Sequence, residues 1–301
     1  MTINEEVRKK ILNALLQNRG NFDGSDAQYA RTFDINKGVY SRLSQGETER
    51  VLSDKKWISL ARMLQVQLGD EPEWIPARTA VFEYLTTQMS ICKAESLSSI
   101  YCDVSEVGKT VAGRWFCQNS KNSVYVDCSL HKSKQKLIRA IAQGFGINHT
   151  GKYADVFSDL VYYLRVVNKP FIVFDEAGDL DYSAFLELKA LWNGSENCCG
   201  WYMMGADGLK RKLERGKENQ RVGFMEVISR YGSRYNRITP VVEGERLEFW
   251  KEEALAIISV NAPSGTDVQK LLQKSNGSHR ALRTQILKLK RQQKTSKNDS
   301  L

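Results

Sequence analysis

From Ser96 onward, short apolar runs alternate with stretches of helical periodicity, and this alternation limits the fold more than any other feature of the chain. SSIYCDV, SVYVDC, KPFIVFDEA, GWYMMGA and RITPVV read as strands. The spacing predicts helices over 109–118, 135–145, 155–166 and 183–192, with a further helical stretch through Ile228. Strands that alternate with helices imply a mostly parallel sheet with helices on both faces, an α/β architecture. The run Phe171-Ile172-Val173-Phe174 has the continuous apolar character of a strand buried on both sides.

Two segments of this region carry chemistry. YCDVSEVGKT places Gly108-Lys109-Thr110 directly between a strand and a helix, the second half of a phosphate-binding loop. Successive backbone N–H groups and a helix N-terminus hold phosphate oxygens there; Lys109 is expected to reach the β- and γ-phosphates and Thr110 to bind Mg²⁺. Asp103 stands where the full pattern has its first glycine, and Glu106 also lies in the loop. The second segment is the buried run ending in Asp175-Glu176. Asp175 is placed to orient Mg²⁺, and Glu176 to polarise a water as general base. An arginine of Ser229-Arg230-Tyr231-Gly232-Ser233-Arg234, with Arg230 first and Arg234 second, can project into a neighbouring subunit's site; a solvated or DNA-facing arginine is the other reading. Gly277-Ser278-His279-Arg280 opens a helix whose arginine can close over a nucleotide, or simply form a basic helix face.

Before the sheet, residues 1–70 read as short helices: Glu5 to Gln17, a capped helix through Phe33, Lys37 to Leu43, and Lys55 to Leu68. Two short helices joined at Asp34-Ile35-Asn36 fit a helix-turn-helix, whose second helix would present Asn36, Lys37, Tyr40, Ser41 and Arg42 to a DNA groove; a helical bundle for protein contacts is the alternative. Glu71-Pro72-Glu73-Trp74-Ile75-Pro76 breaks the helical pattern and sets a domain boundary. The expected organisation is a helix-turn-helix domain over 1–70, a linker and connecting helix over 71–95, a nucleotide-binding core over 96–243, a helical lid over 244–290 and a basic tail over 291–301, disordered beyond Arg291.

The formal net charge of +9 is concentrated in two places. Nine Lys/Arg against three Asp/Glu lie between Gly208 and Arg237, and seven against one between Arg280 and Leu301. Clustered cations suit a polyanion, and Lys210, Arg211, Lys212, Arg215 and Lys217 form the densest run; a solvated basic surface is the plain alternative. The six cysteines make no CxxC pair and the three histidines show no ligand spacing, so no metal cage of protein ligands alone is expected. No apolar run reaches the ~18 residues of a membrane span, and the N-terminus does not read as a signal peptide, so a cytoplasmic protein with no membrane partner is expected.

Taken together, the GKT loop at 108–110, the acidic strand end at 175–176, the arginine before the last strand and the GSHRALRTQI segment resemble an AAA+ ATPase. The order of parts over roughly 25–290, with FIVFDEAGDL, YMMGADGLKRKL and EVISRYGSR, is similar to the AAA+ transposition ATPases, the group of phage Mu transposition protein B and its TnsC- and IstB-like relatives. The resemblance implies an ATP- and Mg²⁺-dependent ATPase that assembles as a helical homo-oligomer on double-stranded DNA and delivers target DNA to a DDE-type transposase, encoded by a mobile element in a bacterial host. It assigns Val107, Gly108, Lys109, Thr110, Val111, Asp175 and Arg280 to nucleotide binding, Thr110 and Asp175 to the metal, and Glu176, Arg230 and Arg234 to catalysis. It places DNA on Lys210, Arg211, Lys212, Arg215 and Lys217, and on Lys37 and Arg42 of the N-terminal helices. Two positions depart from the family pattern: Asp103, and Ala206, where a sensor asparagine is expected after the YMMG strand. A non-hydrolysing DNA-binding regulator and a helicase loader are the competing readings.

Overall fold

The computed structural model describes residues 3–22, 24–64, 66, 68, 74–232 and 234–298. Glu71, Pro72 and Glu73 of the expected boundary, Ser233, and residues 299–301 of the tail lie outside them. Four helices come first, α1 (Glu5–Arg19), α2 (Asp26–Thr32), α3 (Lys37–Ser44) and α4 (Asp54–Met63), and enclose their own core around Ile11, Leu15, Tyr29, Tyr40, Leu43 and Trp57. Ser25 and Gln28 form a reciprocal capping box at the start of α2, and Asn36 caps α3, which fixes the short turn between them. The expected helix from Lys55 to Leu68 stops at Met63 within α4.

After α5 (Ala80–Ala94) the chain alternates as the sequence predicts: β1 (Ser98–Cys102), α6 (Lys109–Asn119), β2 (Ser123–Asp127), α7 (Lys134–Gly144), α8 (Tyr153–Val166), β3 (Phe171–Asp175), a 3-10 turn at Ala177–Asp179, α9 (Tyr182–Gly194), β4 (Gly200–Gly205), α10 (Asp207–Glu218), α11 (Phe224–Arg230) and β5 (Tyr235–Asn236). The strands form one parallel sheet in the order β2-β3-β4-β1-β5. Alternate side chains serve opposite faces. Ile100, Ile172, Phe174, Trp201 and Met203 pack with α7 to α11, whereas Tyr101, Phe171, Val173, Tyr202 and Met204 pack with α5 and α6. All five residues of β3 are buried, as its unbroken apolar run requires.

The last strand is shorter than RITPVV promised and lies before it. Its pairing ends at Asn236, Pro240 lacks a donor, and the N–H groups of Ile238 and Thr239 go to the Asp103 carboxylate instead of a strand ladder. The C-terminal helices are α12 (Glu243–Asn261), α13 (Val268–Ser275) and α14 (His279–Asn298). The tail expected to be disordered beyond Arg291 continues as helix to Asn298, because its Lys, Gln and Arg residues favour helix and no glycine or proline interrupts them. No helix among the described residues is long and apolar enough to cross a membrane.

Two buried polar side chains of α12 join these helices to the segment before β1. The Asn261 amide bonds both the N–H and the carbonyl of Ile75, and Glu253 accepts from the Val81 N–H at the start of α5.

Candidate nucleotide site

In a parallel sheet all carboxyl ends of the strands share one edge, where α/β proteins bind ligands. Here that edge carries the loop between β1 and α6 next to the end of β3. Gly108 has φ 93°, a left-handed conformation that glycine adopts freely, and it opens α6 with its N–H groups unclaimed by any side-chain cap. Lys109 is buried, and its ammonium donates to the carbonyls of Asp103 (3.0 Å) and Val104 (2.5 Å), curling the loop around itself. Burial pulls the Lys109 pKa down, while the carboxylates of Asp103, Asp175 and Glu176 oppose that shift.

One residue on, the Thr110 hydroxyl donates to Asp175 Oδ2 at 2.6 Å, and Tyr125 of β2 donates its hydroxyl to the same oxygen at 2.7 Å. The other Asp175 oxygen accepts from the Glu176 N–H at 3.0 Å. Glu176 takes up a left-handed backbone conformation (φ 48°) that turns its side chain outward beside the loop. The residue is exposed, yet its carboxyl is partly desolvated against the loop, and this, then the neighbouring Asp175, raises its pKa above the ordinary glutamate value. Gly108, Lys109, Thr110, Asp175 and Glu176 are therefore one cluster, although 65 residues separate the hydrogen-bonded pair Thr110 and Asp175. Val107 is buried in the loop, and Val111 is exposed on the first turn of α6.

Asp103 does not project toward the phosphate position. It is fully buried and accepts from Tyr101 Oη (2.6 Å), Thr239 N (3.1 Å), Ile238 N (3.3 Å) and Val104 N (2.8 Å), with Arg237 Nε 3.4 Å away. The positive φ angles of the loop fall on Glu106 (69°) and Gly108, so position 103 does not need glycine's freedom. The carboxylate ties the loop to the chain beyond β5. Asp103→Ala is expected to destabilise the fold by about 3 kcal/mol, since it leaves the buried Tyr101 hydroxyl and Thr239 N–H without their acceptor and takes the carboxylate from Arg237; chemical denaturation measures this.

Glu106 links the loop to α14. Its carboxylate accepts from the Ser278 hydroxyl at 2.6 Å, and Arg280 Nε lies 3.7 Å from it. Arg280 thus reaches the loop through Glu106. Beside it, His279 stacks on Trp250 (centroids 6.2 Å apart), and burial lowers the histidine pKa. Position 206, the N-cap of α10, provides no side-chain cap bond.

The remaining arginines and lysines divide. Arg230 is held within its own chain: Nε and Nη2 donate to Asn193 Oδ1, Nη1 donates to the Glu226 carbonyl, and the guanidinium covers Trp192 at 5.0 Å. Trp192 in turn bonds Ser98 at the start of β1, the end of the sheet opposite the loop. With three of its N–H groups engaged, Arg230 is not free to project; Arg234 is exposed and has no ion pair among the described residues. Lys212, expected to face DNA, is half-buried and donates to the carbonyls of Gly178 (2.8 Å) and Leu180. Arg211, Arg215 and Lys217 are exposed on α10, and Lys210 is exposed beside Glu214. On α3, Lys37 is exposed and Arg42 pairs with Glu47 at 2.7 Å.

Sequence reasoning missed Tyr125 as a partner of Asp175 and Arg237 as a partner of Asp103. Neither carries a local signal, because each pairing joins residues distant along the chain. No curated protein matches the chain. Residues 104–213 match the family model described as AAA domain. That stretch runs from inside the loop, through both acidic residues at the end of β3, to the middle of α10; over it the chain is similar to AAA domains, which supports an AAA+ ATPase with the nucleotide-dependent activity that such a domain implies.

Proposed function

We propose that this chain is an ATPase that binds double-stranded DNA, assembles on it as a helical homo-oligomer in the ATP state and presents target DNA to a DDE-type transposase. The observation that carries the nucleotide half is the Thr110–Asp175 hydrogen bond, which brings the loop and the acidic strand end to one point beside the buried Lys109 ammonium. The paired oxygens of a hydroxyl and a carboxylate suit Mg²⁺, a hard cation held by one or two carboxylates together with substrate phosphates. Thr110 and Asp175 would hold it, and when bound it neutralises charge on the phosphates. The chain's own residues do the rest. The N–H groups at the start of α6 and the Lys109 ammonium receive phosphate oxygens, and Arg280 approaches from α14. Glu176 accepts a proton from the attacking water at its carboxylate, and its raised pKa makes it a better base than an ordinary glutamate. Arg234 is the better placed of the two candidates to act on a neighbouring subunit's nucleotide, since Arg230 is already engaged.

The DNA half rests on Arg211 and Arg215, one helical turn apart on the exposed side of α10, together with Lys217 and Lys210. The short helices α2 and α3, as a helix-turn-helix, give a second DNA surface through Lys37. Residues 244–290 serve as the lid. Ala206, where a sensor asparagine is expected, favours slow turnover, and DNA bound on α10 would accelerate it.

Duplex-DNA binding, followed by fluorescence anisotropy over a salt series with and without a non-hydrolysable ATP analogue, tests this reading. Affinity should rise with the analogue and fall steeply with salt. The double variant Arg211→Ala/Arg215→Ala should reduce the slope of log Kd against log salt by about 2, as two lost phosphate contacts require. An affinity that does not rise when the analogue is added would count against the reading, as would an unchanged slope.

A further inference from the structure

The function that sequence gave to Lys212, contact with DNA, conflicts with where its ammonium goes, and that conflict indicates a different role. Lys212 sits on α10 between Arg211 and Arg215, yet it points inward. Its stem covers Phe185, with the ammonium 5.2 Å from the ring centroid, and its head caps the carbonyls of Gly178 and Leu180. Those carbonyls belong to the 3-10 turn and its C-cap, directly after Glu176. A cation at the open carbonyl end of a helical turn satisfies acceptors that the turn itself cannot. Burial lowers the Lys212 pKa, while Asp181 and Asp179 hold its charge.

A second, independent contact joins the same two elements. A methyl group built on Gly178 would lie 3.2 Å from the Leu209 backbone nitrogen, so the turn and the first turn of α10 touch backbone to backbone. On its other side the turn is held by Lys132, which pairs with Asp179 at 3.0 Å. The groove between the turn and α10, about 600 Å³, is lined on the helix side by Arg211, Arg215 and Lys212, with Arg221 beyond, and on the turn side by Asp179 and Asp181. A polyanion lying on these arginines would therefore rest on the helix that grips the segment carrying Glu176.

We infer that Lys212 is a positioning residue that transmits DNA contact on α10 to Glu176, by clamping the Ala177–Leu180 turn to the helix that meets the phosphate backbone. The inference rests on the proposed function, since it takes DNA to bind at Arg211 and Arg215. A displacement of α10 moves the turn with it, because a helix shifts as a rigid body and both the ammonium and the Gly178–Leu209 contact tie the turn to it. Removing the ammonium leaves DNA attached to α10 and loosens the coupling of the general base to it, with the Gly178–Leu209 contact as the remaining tie.

The test compares wild type, Lys212→Met and Lys212→Arg as full chains, measuring duplex-DNA Kd, KM for ATP, and kcat with and without saturating duplex DNA. Methionine keeps the stem over Phe185 and loses the donors. The expected result is a loss of about tenfold in DNA-stimulated kcat, below the roughly 100-fold of a ~1 Å misplacement because the Gly178–Leu209 contact remains, with DNA Kd and KM for ATP within about twofold of wild type. Lys212→Arg, which can donate to both carbonyls, should restore most of the stimulation. A Lys212→Met protein that binds DNA and is stimulated like wild type overturns this inference and leaves the proposed function standing. So does a loss that arrives with a lower Tm and weaker DNA binding and is not recovered by arginine. A wild-type protein that binds no duplex DNA overturns the proposed function, and the inference with it.

Discussion

Glu176→Gln should bind ATP as wild type does and turn it over about 10²–10⁴ times more slowly, the usual contribution of a positioned general base. The amide keeps the shape of the side chain, while Asp175 and Thr110, one residue and one helix away, keep their hydrogen bond. Only the capacity to accept a proton is lost. Single-turnover hydrolysis with excess enzyme measures the chemical step, and nucleotide binding measured separately shows whether affinity is retained. The wild-type rate should also report the titration of this carboxyl. Partial desolvation and Asp175 raise its pKa, so the protonated, inactive form persists to higher pH than for an ordinary glutamate, and the rate rises with pH through that raised value. The Gln variant should lack this limb. A Gln variant that hydrolyses within tenfold of wild type removes Glu176 from the chemistry.

Lys109→Ala should weaken ATP binding by roughly 100-fold, equivalent to the loss of one or two charge-assisted hydrogen bonds to phosphate. In the structure its ammonium bonds two loop carbonyls, so the loop is already folded around the charge that a phosphate needs. Nucleotide-dependent DNA binding should vanish at ATP concentrations that saturate wild type, while nucleotide-independent contact through α10 persists. Isothermal titration with ATP and anisotropy with DNA separate the two effects. The Tm without nucleotide should fall, because the change removes a buried ammonium that two loop carbonyls accept from, the Asp103 carbonyl in a buried place, so binding is measured at a temperature where the variant is folded. Unaltered ATP affinity would mean that the loop does not grip phosphate.

The parts of the site legible in the sequence are those whose signal is local. GKT between a strand and a helix, and four apolar residues ending in two acids, each state their placement within ten residues, and the structure brings them together. The alternation of β1 to β4 with their helices was legible for the same reason. The parts that were not legible depend on distant partners. Asp103 reads as a defect in a glycine pattern until Ile238, Thr239 and Arg237, some 135 residues on, are seen to surround it. Lys212 reads as one more cation in a basic run, because composition gives charge but not direction. Arg230 reads as a free arginine because nothing nearby announces Asn193. The shortened β5 follows from the same Asp103 carboxylate, which takes backbone donors that a strand would have used.

The contact between Glu106 and α14 bears on how tightly any nucleotide can be held. Arg280 already has an anionic neighbour when no phosphate is near, and Ser278 is bonded to the same carboxylate. A phosphate that recruits this arginine trades one counter-ion for another, so its gain is the difference between two attractions, while the displaced carboxylate is left next to a more negative guest. Such an exchange blunts affinity but sharpens the distinction between guests of unequal charge: a triphosphate outcompetes the carboxylate more readily than a diphosphate does. Retention after cleavage would weaken accordingly, giving the cycle a built-in direction.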